Sequence, residues 1–133
     1  LALAPNDTPH ISYFDNTNNT LKYATLTTDW QTYIVDNTAA VGPYGDIALD
    51  SSGMAYISYY DATNGDLKIA YGSANAWTTQ VVDQQGDVGL YTSIAVDSQD
   101  IPHISYYDLT NGDLKYAVGT IANVQLYIPM VIK

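Results

Sequence analysis

The stretch YISYYDATNGDLKIA, Tyr56 to Ala70, decides how this chain is read, because it is written three times. HISYFDNTNNTLKYA runs from His10 to Ala24 and HISYYDLTNGDLKYA from His103 to Ala117. Ile11-Ser12-Tyr13 returns at Ile57-Ser58-Tyr59 and at Ile104-Ser105-Tyr106, displaced by 46 and then 47 residues. Other landmarks keep step. Leu1-Ala2-Leu3 matches Ile47-Ala48-Leu49 and Ile94-Ala95-Val96, Trp30 matches Trp77, and Val41-Gly42 matches Val88-Gly89. The opening LALA is therefore expected to be the start of a repeat unit rather than a leader. A repeat of this period is the first fact to settle, ahead of any motif.

Each unit reads as four short strands. In the second they are expected over Asp46–Leu49, Ala55–Asp61, Leu67–Gly72 and Trp77–Val82, separated by Ser51-Ser52-Gly53, Asn64-Gly65 and Ala74-Asn75. β-Branched and aromatic residues dominate, and no helical period is present. Four strands in about 45 residues is the dimension of one β-propeller blade. The fold class expected is all-β and propeller-like, with three four-stranded antiparallel blades in a single repeat domain of residues 1–133. The blades are placed at 1–36, 45–83 and 92–133. Asn64-Gly65 and Asn111-Gly112 predict two-residue type I′ hairpin turns. That register sets Asp61 opposite Lys68 and Asp108 opposite Lys115, with Asp15 facing Lys22 around Asn18-Asn19.

Composition narrows the function classes. The formal charge is −10, from fourteen acids that are all Asp and four lysines, with no Glu and no Arg. Asp favours turns, so the acidity is spread over them, and the negative field argues against a nucleic-acid partner. No apolar run reaches the ~20 residues of a membrane span. Cysteine is absent, so no disulfide reports the redox compartment.

Candidate chemistry is weighed against the repeat. His10 and His103 occupy one repeat position, filled by Tyr56 in the second unit, and Ser12, Ser58 and Ser105 form another equivalent series. A nucleophilic triad needs one singular Ser with a His and an acid converging on it; equivalent copies read as architecture, so no catalytic residue and no enzyme are expected. The oxygens of DATNGD and DLTNGD are candidate calcium ligands. Their spacing does not match the EF-hand loop, no bidentate Glu follows, and a hairpin accounts for them. No metal and no cofactor are expected. Thirteen Tyr remain. Tyr13, Tyr59 and Tyr106 read as interblade packing. Tyr44 and Tyr91, in the linkers VGPYGD and VGLYTS with Asp46 and Asp87 beside them, are the ligand-binding candidates, because loops carry function more often than strands. Asn6-Asp7-Thr8 and Asn18-Asn19-Thr20 are glycosylation sequons at Asn6 and Asn18.

PHISYYDLTNGDLKYA (Pro102–Ala117) and LYTSIAVDS (Leu90–Ser98) resemble a family of tandem repeats in bacterial secreted and surface proteins that form β-propellers. The resemblance covers the chain to about Thr120. It implies a propeller fold and a secreted or cell-surface location; it implies little about function, because propellers serve binding, scaffolding and catalysis alike. Tyr56 in place of His, and Asn19-Thr20 in place of Gly-Asp, depart from the pattern. Two-blade chains that trimerise into fucose lectins offer an architectural analogy. Those lectins hold sugar with Arg and Glu, which this chain lacks, so their site does not carry over.

The ends matter for assembly. The segment equivalent to VGLYTS is missing ahead of Leu1, as in a processed or fragment chain. Where Trp77–Asp83 would recur, the sequence reads VQLYIPM from Val124, then Val131-Ile132-Lys133. A strand over Val124–Ile132 is expected at a blade edge, its apolar face buried in the third blade or by a second chain, making Leu126, Tyr127, Ile128, Met130, Val131 and Ile132 the candidate oligomer interface. Propellers close with at least four blades. Three blades therefore predict a homo-oligomer, as a closed dimer or an open filament, or the remainder of a longer propeller as partner. The function expected is a non-catalytic extracellular module for assembly and adhesion. The alternatives are a lectin that binds glycans and a filament-forming structural subunit.

Overall fold

The computed structural model describes residues 1–38, 40–119 and 128–132, with only the backbone of Ile128. Twelve strands and no helix form among the described residues. The first sheet contains β1 (Ala2–Leu3), β2 (Pro9–Asp15), β3 (Thr20–Leu26) and β4 (Trp30–Asp36). The second contains β5 (Asp46–Leu49), β6 (Ala55–Asp61), β7 (Asp66–Ser73) and β8 (Ala76–Asp83). The third contains β9 (Val88–Val96), β10 (Pro102–Asp108), β11 (Asp113–Val118) and β12 (Ile128–Ile132). Each is a four-stranded antiparallel meander in chain order, so the chain is three propeller-like blades side by side, and the ring is not closed.

Two linkers tie the blades together. Residues 40–43 lie along the far end of β6, with Gly42 N–H donating to the Tyr60 carbonyl (3.0 Å) and Ala62 N–H to that of Ala40 (2.9 Å). The start of β9 does the same for β10, pairing Leu90 with Tyr107 and Val88 with Asp108. Gly89, at φ 105°, permits this course. A Cβ there would lie 2.8 Å from the Leu67 backbone.

The core is two interblade layers. Leu21, Tyr23, Val35, Val41, Ile57, Tyr59 and Ala70 are buried between blades one and two. Tyr56, Leu67, Ile69, Val82, Ile104, Tyr106 and Ala117 are buried between blades two and three. The period-2 alternation of each strand divides its side chains between these layers: Ile57 and Tyr59 point to the preceding blade, Tyr56 to the following one.

The hairpin register differs from the expected one by two residues. Asp61 pairs with Asp66, and Lys68 with Tyr59; Asp108 pairs with Asp113, and Lys115 with Tyr106. A type I′ turn needs positive φ at both central residues. Here only Gly65 (φ 76°), and not Asn64, has it, as Gly112 (φ 73°) does in blade three and Asn19 (φ 54°) in blade one. The turn is four residues long, closed by Gly65 N–H to the Asp61 carbonyl at 2.8 Å. The Asp61 carboxylate builds it, accepting from Thr63 N–H (3.0 Å), Asn64 N–H (3.2 Å) and the Asn64 side-chain amide (2.9 Å). Asn is selected here as a side-chain donor to Asp rather than for left-handed backbone.

Candidate functional site

Displaced by two, each central lysine reaches across to the preceding blade. Lys68 Nζ lies 2.6 Å from Asp36 Oδ2, and Tyr59 Oη donates to the same oxygen at 2.7 Å. Blade three repeats this with Lys115 and Tyr106 (2.8 Å) on Asp83 Oδ2. Each cluster is buried, and each lysine sits over its tyrosine ring, at 5.5 Å and 5.8 Å from the centroid. Burial pushes the Asp36 carboxyl up, but the bonds from Lys68, Thr38 and Tyr59 outweigh it and hold it below the ordinary carboxylate value. Burial, then the Asp partner, pushes the Tyr59 and Tyr106 phenols well up. The expected hairpin pairs Asp61–Lys68 and Asp108–Lys115 are thus replaced by interblade clusters, with Asp108 only 3.7 Å from Lys115 as a secondary partner. Sequence reading missed Asp36 and Asp83 as the acceptors. The signal was the Val-Asp that ends the fourth strand of both blade one and blade two.

The outer blades present the same residues without that cover. Tyr13, equivalent to Tyr59, is 37% exposed against 0%. Lys22 turns to Asp15 of its own blade at 2.7 Å, whose hydrogen bonds from Lys22 and Asn18 hold its carboxyl well below the usual range. Leu1 and Leu3 are exposed where their equivalents Ile47 and Leu49 are buried and half-buried. On the far side, Leu114 is 50% exposed against 0% for Leu67. β12 pairs with β11, setting Met130 opposite Tyr116 and Ile132 opposite Leu114. Met130, Val131 and Ile132 are exposed within the chain, so of the two covers expected for them, blade three and a second chain, blade three does not provide one. A two-sided apolar strand on an edge leaves one face without a sheet to cover it. Pro129 sits opposite Ala117 in this edge strand, where a sheet tolerates proline. Leu126, Tyr127 and the Ile128 side chain lie outside the described residues.

The linker tyrosines come together. Tyr44 and Tyr91 are exposed, their rings are 4.8 Å apart, and both hold a left-handed backbone, φ 58° and 53°. That conformation is uncommon for a bulky residue. Tyr60 (6.4 Å from Tyr44) and Tyr107 (6.5 Å from Tyr91) extend them into a row of four rings. The carboxylates beside them are engaged. Asp87 accepts from Tyr60 Oη at 2.8 Å, and burial with that bond pushes the Tyr60 phenol up to about 12. Asp46 Oδ2 accepts from Ser93 Oγ (2.8 Å) and Ile94 N–H (3.0 Å), stapling β5 to β9.

The remaining candidates are placed as follows. His10 Nδ1 is 2.5 Å from Tyr23 Oη, and His103 makes the same bond to Tyr116 and a second, 3.2 Å, to Asp97. The Ser58 hydroxyl is buried and has no hydrogen-bond partner among the described residues. Asn6 and Asn18 stand in exposed turns, and Asn18 donates its side-chain amide to Asp15 at 2.9 Å. Among the described residues no group of three acidic or His side chains converges as a metal site, and no helix is long and apolar enough to cross a membrane. Compared with protein-family models and with curated proteins, the chain matches none.

Proposed function

We propose that this chain is a non-catalytic, extracellular β-propeller repeat module that assembles and adheres through protein–protein contacts at its two uncovered blade faces. One observation carries the reading: residues wholly buried in the middle blade, Tyr59 and Leu67, have exposed equivalents, Tyr13 and Leu114, on the outer two. Apolar side chains left exposed on a blade face that is buried in the middle blade mark an interaction site. The bacterial secreted and surface repeat proteins it resembles supply the extracellular setting. Two copies joined face to face in one sense would carry six blades in a closed ring, and a join that fails to close would give a filament. Light scattering over a range of concentrations tests this. Dimers or polymers are expected, and a chain that stays monomeric up to about 100 μM, an affinity of only ~5.5 kcal/mol, refutes self-assembly.

A second reading, a glycan-binding lectin, is favoured by the row Tyr60, Tyr44, Tyr91 and Tyr107, in which the exposed Tyr44 and Tyr91 rings offer stacking faces. Saturable binding on a glycan array, lost in Tyr44→Ala and Tyr91→Ala, is its expected result. Equal array signal from the variants removes it.

A further inference from the structure

The two uncovered faces lack one element of the complementarity that the internal joints have. Every blade joint inside the chain is made of an apolar layer and one polar cluster: an Asp at the end of the fourth strand of one blade, and a Tyr and a Lys from the second and third strands of the next. Blade one offers the Tyr–Lys half, Tyr13 opposite Lys22 on β2 and β3. The Asp half belongs at the position paired with the Leu that is second in the third strand. Asp36 pairs with Leu21 and Asp83 with Leu67, each after a register shift. In blade three Ile132 pairs with Leu114, and the β11–β12 ladder runs without that shift. Asp36 and Asp83 of a second copy are already buried in its own joints. A second copy's blade three would therefore place an aliphatic chain where the internal joints have a carboxylate, leaving the Tyr13 hydroxyl without that acceptor and Lys22 with Asp15 alone, a weaker joint than the internal ones.

We infer that the face of blade one receives a blade of the same repeat type, from another polypeptide segment, whose fourth strand ends in Asp. The partner is specified by charge: its carboxylate takes Lys22 from Asp15 and accepts the Tyr13 hydroxyl, as Asp36 does for Lys68 and Tyr59. This rests on the reading of the outer faces as assembly surfaces and names what one of them binds.

Ile132 is exposed on an edge strand, so Ile132→Asp converts blade three of this chain into such a blade with little effect on the fold, which an unchanged melting temperature checks. Sedimentation equilibrium on the full chain then compares wild type, Ile132→Asp, Ile132→Asn and Ile132→Asp with Lys22→Met. Ile132→Asp is expected to tighten self-association about tenfold or more, as a close interfacial charge pair does. Ile132→Asn should not, and Lys22→Met should erase the gain. The inference is overturned if Ile132→Asp associates no more tightly than wild type, if Asn does as well as Asp, or if the gain survives Lys22→Met. A wild-type dimer that Lys22→Met weakens would also overturn it while leaving the assembly reading intact. Loss of all association in every variant would strike that reading as well.

Discussion

Tyr13, Tyr59 and Tyr106 are the same residue of the same repeat, so removing their hydroxyls one at a time isolates the blade joint. In Tyr59→Phe the ring remains buried and still carries Lys68 over its face at 5.5 Å. What is lost is one bond, 2.7 Å, to Asp36 Oδ2. A hydrogen bond to a charged group contributes about 1.5–3 kcal/mol. Asp36 keeps Lys68 and Thr38 as donors, so no orphaned carboxylate adds to the loss, and the lower part of that range, about 1.5–2 kcal/mol, is expected. For a domain of this size the melting temperature should fall by roughly 5–10 °C. Tyr106→Phe loses the equivalent bond to Asp83 and should behave alike. Tyr13→Phe loses no hydrogen bond among the described residues and should stay within about 0.5 kcal/mol, measured dilute enough to keep the chain monomeric. Urea unfolding followed by far-ultraviolet circular dichroism gives all three values. If Tyr13→Phe costs as much as Tyr59→Phe, the hydroxyl–carboxylate joint is not the source of the stability assigned to it.

The Asp36 carboxyl is held below its ordinary value, so its contribution is complete above its unfolded value, near pH 4, and is lost as pH falls through the folded one. Urea midpoints should accordingly drop below pH 4, and less steeply in Lys68→Met, which removes the strongest bond lowering that carboxyl; parallel acid limbs would contradict this. Gly53→Ala, with no atom within 4 Å of its new Cβ but φ at 83°, should cost only the ~1–2 kcal/mol of a left-handed residue. Gly89→Ala adds a 2.8 Å approach to the Leu67 backbone and should cost distinctly more by the same denaturation assay, equal losses arguing against the linker path drawn here.

The strands and blades were legible because their signals are local. β5 and β6 fall on the expected residues, and β7 and β8 extend theirs by one residue at each end. Period-2 alternation and Ser-Ser-Gly or Asn-Gly turns fix such elements without tertiary information. The hairpin register was not legible in full. Asn-Gly is shared by two-residue and four-residue turns, and what selects the longer one is the Asp three residues before Asn, whose carboxylate takes both amide groups of Asn64. The joint was hidden for a different reason. Asp36 and Lys68 are 32 residues apart, and only the stacking of one sheet on the next brings them together. The row of Tyr60, Tyr44, Tyr91 and Tyr107 was half visible: repetition marked Tyr44 and Tyr91, while their contact across the joint needed the fold.

A buried ion pair is weak evidence for stability, since well-packed apolar replacements often match or exceed it. The recurrence of Asp, Lys and Tyr at both joints is better explained by orientation. Asp stands on the face toward the next blade and Tyr–Lys on the face toward the previous one, so two blades can mate in only one order, whereas apolar sheet faces alone would also stack in reverse. This separates two quantities that one set of variants can measure. Asp36→Leu alone strands Lys68, which is only 10% exposed along its side chain, and should cost about 3–5 kcal/mol. Replacing the whole cluster, as Asp36→Leu with Lys68→Met and Tyr59→Phe, removes every group that needs a partner. That triple variant should recover most of the loss, and its melting temperature should approach or pass that of the wild type. Urea denaturation decides between the two accounts. A triple variant as unstable as Asp36→Leu would mean that the charges hold the joint together rather than choose its order.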